Sequence, residues 1–258
     1  MSAIDGISHD AFLDGRVMVL QPKSAYRAGL DAVLLAATVS ASEAHGQTLK
    51  VLDMGAGVGT VGLCVAARIA SVDVVLLERE PELADLARQN IKQNEMGARV
   101  RVIEADLTTS ADAVGLSADS FDYCLANPPF QIEGQGRPAI DPLKARAHAM
   151  PDGDLDRWVR TMARLTKPGG TATMIHRADA LGEMLAAFQN RFGAVAVLPI
   201  FAREGDQALR VLVSGIKGSR ARLRILPGLV LHQSDSQAFT PRLQAILRDS
   251  APLDLSAR

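Results

Sequence analysis

Asn127-Pro128-Pro129-Phe130 is the run of residues whose types and order point most directly to chemistry. Two successive prolines end a strand and stiffen the loop after it, because each ring fixes φ and the first also restricts the residue before it. The side-chain oxygen of Asn127 and the carbonyl of Pro128 are thereby held in fixed positions. Two such acceptors suit a planar NH2 group, either the exocyclic amine of an aromatic base or the amide of glutamine. That nitrogen is a poor nucleophile while its lone pair is delocalised. Two hydrogen bonds would orient it and favour a pyramidal nitrogen whose lone pair aims at an electrophilic carbon. Phe130 offers a ring on which a flat substrate stacks. A sulfonium methyl is such an electrophile and is already activated, so neither a metal nor a strong general base is required. The plainer reading is a proline turn that caps a strand, with Phe130 as an apolar plug.

A second group lies upstream. Val51-Leu52-Asp53-Met54-Gly55-Ala56-Gly57-Val58-Gly59 sits where a strand turns into a helix, and Gly55, Gly57 and Gly59 allow the unusual backbone angles and close ligand approach such a turn needs. Read literally, Gly57-Val58-Gly59-Thr60-Val61-Gly62 also satisfies the dinucleotide fingerprint, with Glu78 at a suitable interval for a ribose hydroxyl, so the turn alone leaves an NAD-binding protein open. Asp53 tilts the choice: a carboxylate two residues before the first glycine suits a cationic amino-acid end and repels a pyrophosphate. Glu78 ends the next strand, where a carboxylate accepts ribose hydroxyls, and Asp106 ends the strand after that, within reach of an adenine amine. Singly, each acid could be a solvated strand end or a helix cap; three on successive strand ends form a pattern.

The elements that must position these residues alternate. Residues 1–25 lack periodicity and read as an amino-terminal arm or strand pair, and Gly29–Val39 as a leading helix. Strands are expected at Leu49–Met54, Asp73–Leu77, Val100–Ala105, Phe121–Ala126 and Thr171–His176, with helices at Thr60–Ala70, from Pro81, at Asp154–Thr166 and at Ala180–Arg191. Lys167-Pro168-Gly169-Gly170 reads as a helix stop and turn. Two last strands, Ala194–Ile200 and Leu209–Ile216, are joined by a loop too short for a parallel crossover, so the final strand must run antiparallel. The expectation is an α/β fold with a doubly wound, seven-stranded, mostly parallel sheet, in one domain over 26–258 with a basic carboxy-terminal extension from about 217.

Bulk properties set bounds. In 258 residues, 48% of them hydrophobic, there is material for one sizeable core but not for two large domains. A net charge of −1 provides no global positive field, so any nucleic-acid contact must be local. Lys217, Arg220, Arg222 and Arg224 make one basic cluster, readable as a phosphate strip or as a solvated turn; Lys144, Arg146 and His148 come after the proline loop and are better placed near a substrate. Cys64 and Cys124 lack metal-ligand spacing and read as small buried hydrophobes, Trp158 reads as core, and His9, His45, His176 and His232 read as ordinary surface or strand-end residues. Without a leader or an apolar run of membrane-spanning length, a soluble cytoplasmic protein is expected.

Taken together, these motifs resemble the class I, Rossmann-like methyltransferases, and among them the bacterial valine-tRNA adenine-N6 methyltransferases. The resemblance runs from about Tyr26 to about Leu247 and is carried by Arg27-Ala28-Gly29-Leu30-Asp31-Ala32-Val33-Leu34-Leu35, the Asp53–Gly59 turn and Asn127–Phe130, with weaker likeness at Lys144–His148 and Leu209–Leu212. It implies S-adenosylmethionine as donor and S-adenosylhomocysteine as product. The donor's methionine end would lie against Asp53, Gly55 and the Gly29–Asp31 segment, its ribose on Glu78 and its adenine near Asp106 and Leu107. The target amine would lie on Asn127 and Pro128 beside Phe130, in an RNA substrate, most simply a tRNA, and the charge pattern adds Lys144, Arg146 and Arg222 as candidate contacts to that RNA. No metal and no membrane partner is implied. The same four-residue loop also serves enzymes acting on ribosomal RNA, DNA adenine or the N5 of a protein glutamine. Outside the class stand an NAD-dependent oxidoreductase and a non-catalytic RNA-binding module, which would have no use for Asn127.

Overall fold

Short runs such as Leu49–Met54 and Phe121–Ala126 carry apolar side chains on both sides of the pleat, and strands of that kind are stable only where both faces are covered. In the computed structural model, which describes residues 6–23, 27–40, 46–106, 115–129, 131–132, 149–150, 154–234 and 236–255, they lie side by side at the centre of a sheet. The chain begins with a hairpin of β1 (Ile7–Phe12) and β2 (Val17–Pro22), one of the two forms expected of the first residues, followed by helix α1 (Leu30–Ala37). Then come β3 (Leu49–Met54), α2 (Thr60–Arg68), β4 (Val72–Glu78), α3 (Pro81–Gln93), β5 (Val100–Glu104) and β6 (Phe121–Ala126). The short parallel pair β7 (Gln131–Ile132) and β8 (Ala149–Met150) precedes α4 (Asp154–Leu165), β9 (Thr166–Arg177) and α5 (Leu181–Phe188). The rest is β10 (Phe192–Phe201), β11 (Ala208–Lys217), the two-residue strands β12 (Arg224–Ile225) and β13 (Leu229–Val230), and helix α6 (Pro241–Arg248).

The main sheet runs in the order β12-β10-β11-β9-β6-β3-β4-β5, with β13 also pairing with β10. All seven expected strands are present. β11 slots between β9 and β10 antiparallel to both, as the short β10–β11 connection requires. Two features differ from expectation. β12 and β13 lengthen the sheet to nine strands by pairing parallel to β10, and two residues apiece are too few to show any periodicity. Lys167–Gly170 is not a separating turn: β9 starts at Thr166, and the pairing with β6 jumps from Phe121↔Thr166 to Tyr123↔Thr171. The prolines and glycines are absorbed in that bulge, with Gly169 at φ +80° and Lys167 Nζ on Asp122 Oδ1 at 2.8 Å.

Successive residues of the central strands feed two cores, as a period of two demands. Val51, Leu76, Tyr123 and Leu125 pack on the side that holds α1, α2, α3 and α6. Leu52, Leu77, Cys124 and Ala126 pack on the side that holds α4 and α5, where Leu155, Trp158, Val159, Met162 and Leu165 make one apolar stripe along α4. Cys64 and Cys124 lie in these cores, and burial pushes each thiol up to about 12, which makes both inert as nucleophiles. Among the described residues no helix is long and apolar enough to cross a membrane.

Candidate active site

The chain leaves β3 for β4 and β5 on one side and returns to β6 on the other, so the sheet order reverses between β3 and β6. Open α/β sheets form their ligand crevice at the carboxyl edge of such a reversal. Met54 is the register partner of Ala126, which sets Gly55 and Asn127 as the first residues beyond two adjacent strand ends. Gly55, Gly57 and Gly59 have φ of +66°, +56° and +89°, a region that disfavours a side chain. Ala56 N–H donates to the Leu77 carbonyl at 3.0 Å and Gly59 N–H to the Ala56 carbonyl at 2.8 Å, closing the turn into α2. A Cβ on Gly55 would come within 2.4 Å of Cη2 of Trp158, whereas one on Gly57 would meet nothing within 4 Å. The turn thus rests on the Trp158 indole and, among the described residues, is open at Gly57. Trp158 is core, as expected, but its contact with Gly55 was invisible in the sequence because more than a hundred residues separate them.

Two carboxylates hold the turn from behind. Asp53 is 1% exposed, and its Oδ2 accepts the Gly62 N–H at 3.0 Å in the first turn of α2, where unpaired N–H groups favour an anion. Burial nevertheless dominates and pushes its pKa up to about 7, with the Gly62 bond pulling down and the nearby Glu78 charge adding to the rise. Glu78, 6% exposed, takes Gly57 N–H on Oε2 at 2.7 Å and the N–H groups of Arg79 and Glu80 on Oε1 at 2.8 and 2.9 Å. Burial raises its pKa as well, against those three bonds. Both acids therefore brace the protein's own backbone in addition to any ligand.

Asn127 is half-buried with Oδ1 enclosed, and Pro128 is buried. His176, at the end of β9, is only 5% exposed and lies against the Pro129 backbone. Burial lowers its pKa while the Pro129 backbone opposes that shift, so the ring backs the proline loop as a neutral group. The sequence reading of His176 as an ordinary strand-end residue missed this; the one available signal was its place at the end of the strand neighbouring β6. Asp31, on α1, accepts from Arg210 Nε of β11 at 3.0 Å, a pair that links residues 179 positions apart in the chain.

Asp53, Gly55, Gly57, Gly59, Glu78, Asn127 and Pro128 are brought to one edge. Asp106 lies two residues beyond the end of β5, a strand the sequence reading runs to Ala105, and is more exposed, its side chain 3.8 Å from Arg79 Nη1. Arg222 is not brought there. Phe192 at the start of β10 pairs with Lys217, and Ala194 N–H binds the Ala221 carbonyl, so residues 218–222 lie at the opposite, amino edge of the sheet. Lys217 of the same basic cluster is held by Asp119 and the Thr166 carbonyl, and Arg224 Nη2 by the Leu255 carbonyl at 3.2 Å. Leu107, Phe130, Lys144, Arg146 and His148 lie outside the described residues. Among those described, no group of three or more His, Cys, Asp or Glu is arranged to hold a metal ion.

A reversing sheet with an antiparallel strand between β9 and β10, a braced glycine turn and a proline loop on the next strand end define the class: a Rossmann-like class I methyltransferase. The methyltransferase small domain family matches residues 27–156, and the chain belongs to that family. A tRNA1(Val) (adenine(37)-N6)-methyltransferase of Bacteroides thetaiotaomicron is 27% identical over 198 residues, 76% of this chain and 79% of that one. Its counterpart in Aeromonas hydrophila is 30% identical over 195 residues, 74% and 77% of the two chains. Among solved structures, a predicted O-methyltransferase from Agrobacterium tumefaciens matches with a TM-score of 0.71 and 32% identity, covering 86% of this chain and 97% of that one.

The packing of Trp158 on Gly55 makes a testable distinction between two glycines of similar φ. Gly55→Ala should cost about 2–4 kcal/mol in urea unfolding, from left-handed strain plus overpacking, and Gly57→Ala only about 1 kcal/mol. Trp158→Phe, which removes the clashing carbons, should recover part of the Gly55→Ala loss; equal costs for the two glycines would refute the contact.

Proposed function

We propose that this methyltransferase uses S-adenosylmethionine to methylate N6 of an adenine in tRNA. The observation that carries the reading is the Met54–Ala126 register, which sets Asn127-Pro128 beside a glycine turn and so supports an amine-orienting role for the pair. The names of the Bacteroides and Aeromonas relatives support the adenine and the tRNA, and a tRNA substrate in turn supports a cytoplasmic location.

The residues fit the donor. Among the described residues the backbone is open at Gly57, which supports a ligand lying against it. Gly55 to Gly59 would cradle the methionine and ribose portion, and the buried Asp53 carboxylate behind the turn would favour the ammonium end through space, with Asp31 of α1 toward the same end. A carboxylate has about four lone-pair sites, of which three on Glu78 are occupied by backbone N–H groups; one on Oε2 is left for a ribose hydroxyl. Asp106 would lie toward the adenine.

When bound, the donor supplies a methyl carbon on a sulfonium. Asn127 Oδ1 and the Pro128 carbonyl would accept the two N–H bonds of the target amine and point its lone pair at that carbon. Pro128 and the His176 ring behind Pro129 keep the acceptors from relaxing. No proton need leave the nitrogen before attack; it departs afterwards, from a product cation that is strongly acidic. A hydroxyl acceptor would need deprotonation first, and the loop offers orientation for N–H groups instead.

Incubation with unmodified tRNA and S-adenosylmethionine should yield N6-methyladenosine on nucleoside analysis; a methyl found only on ribose oxygen or on protein would overturn the acceptor. Asn127→Ala should leave S-adenosylhomocysteine affinity within about twofold and reduce kcat by about a hundredfold or more, the signature of an interaction made with the reacting group. Asp53 sets a pH dependence. Its carboxyl holds a proton below about 7, and a cationic ligand favours the ionised form, so donor binding must release that proton. Affinity should therefore rise with pH up to about 7 and level off above it. Calorimetry in buffers of different ionisation enthalpy checks the proton release, and Asp53→Asn should abolish the slope.

A further inference from the structure

The amino-terminal hairpin is tied to the glycine turn through one buried side chain. Asn90, on α3, is fully buried. Its Oδ1 accepts the Leu20 N–H at 2.7 Å, and its Nδ2 donates to the Leu20 carbonyl at 3.1 Å and to the Val58 carbonyl at 3.0 Å. Both amide hydrogens are used, one on the hairpin and one on the turn. Asn94, one helical turn on, clasps Met18 in the same way, with Oδ1 on Met18 N–H at 2.8 Å and Nδ2 on the Met18 carbonyl at 2.7 Å, but its remaining bond goes to the Asn90 carbonyl and not to the turn.

The match is geometric. Residues i and i+4 of a helix are about 6 Å apart along the axis, and residues i and i+2 of a strand are about 6.7 Å apart with their N–H and C=O groups on one edge. Two asparagines at positions 90 and 94 can therefore stand in for a neighbouring strand along the outer edge of β2. At its other end β2 grips the segment before α1: Gln21, also buried, accepts the Ala28 N–H at 2.7 Å and donates to the Ala28 carbonyl at 3.2 Å. Asp10 of β1 adds Arg27 at 2.6 Å.

We infer that Asn90 is a positioning residue for the donor: it couples the hairpin to the Gly57–Val58 turn, so that the turn's ligand-binding shape depends on the hairpin. This rests on the proposed donor site. Asn94 supplies the internal comparison, because it anchors the same strand by the same pair of bonds without reaching Val58.

Asn90→Ala and Asn94→Ala should lower the urea midpoint by comparable amounts, since each removes one two-bond clasp. Only Asn90→Ala should weaken S-adenosylhomocysteine binding, by about tenfold relative to Asn94→Ala, as loss of one buried bond to a ligand-holding loop predicts. Hydrogen exchange on the unmodified protein provides a reading that needs no variant. By reciprocity, S-adenosylhomocysteine should slow exchange of the Met18 and Leu20 amides more than that of β10 and β11 amides. Equal affinities in the two variants, or no extra protection of Met18 and Leu20, would overturn the coupling while leaving the donor site intact. A wild-type protein that binds no S-adenosylhomocysteine would overturn both.

Discussion

Pairing of β3 with β6 in one register is the constraint on which the site depends. Met54 opposite Ala126 places Gly55 and Asn127 side by side, and the same register decides which way Asp53 turns. Asp53 shares the parity of Val51, on the face covered by α2, and its carboxylate therefore meets the Gly62 N–H at the start of that helix. A slip of one residue would turn Leu52 and Met54 out of the core beside α4 and drive Asp53 into it. The apolar alternation that builds the two cores thus also aims the carboxylate, and no separate device is needed to place it.

Burying two acids beside one short turn carries an electrostatic consequence. Burial makes both Asp53 and Glu78 harder to ionise, the Glu78 charge adds to this at Asp53 and the Glu80 charge at Glu78, and backbone N–H groups from Gly57, Gly62, Arg79 and Glu80 oppose that burden. In exchange, the turn is fixed from below at Gly57 and Gly62 before any ligand arrives. The crevice so formed is negative behind the glycines. A pyrophosphate seated there would be repelled at short range, whereas a ligand with an ammonium and a sulfonium would relieve the strain on both carboxylates. The glycine spacing alone left a dinucleotide open; the buried pair of acids favours the cation.

Much of this was legible in the sequence because it is local. The strands at Leu49–Met54 and Phe121–Ala126 fall on their expected residues, and the antiparallel final strand was implied by a loop too short to cross over. The sequence hid contacts between distant residues. Trp158 read as one more member of an apolar helix stripe, and nothing in its spacing shows that Gly55 lies above it. The approach of His176 to Pro129 depends on β9 lying beside β6, and the pairing of Arg210 with Asp31 on β11 lying beside β9, against which α1 packs. Arg222 looked useful because it stands in a basic run, but charge patterning gives no information about which edge of the sheet a run will reach. Lys167–Gly170 was misread for another reason: its composition is that of a turn, and tertiary pairing with β6 carried it into a strand by way of a bulge.

The choice of asparagine on α3 carries the synthesis one step further. β1 satisfies one edge of β2, and the other edge would be left with open N–H and C=O groups, the usual liability of a terminal strand. Leucines at positions 90 and 94 would pack against the hairpin but leave those groups unpaired in a buried setting, at the cost of an unmade hydrogen bond each. Two amides instead present a donor and an acceptor together, at a spacing that only i and i+4 positions supply. Apolar packing tolerates sliding, whereas paired bonds to Met18 and Leu20 admit a single register. Because Asn90 has a second hydrogen to give, the side chain that fixes the hairpin's register also fixes the Val58 carbonyl, so an edge-covering device becomes part of the structure that shapes the turn.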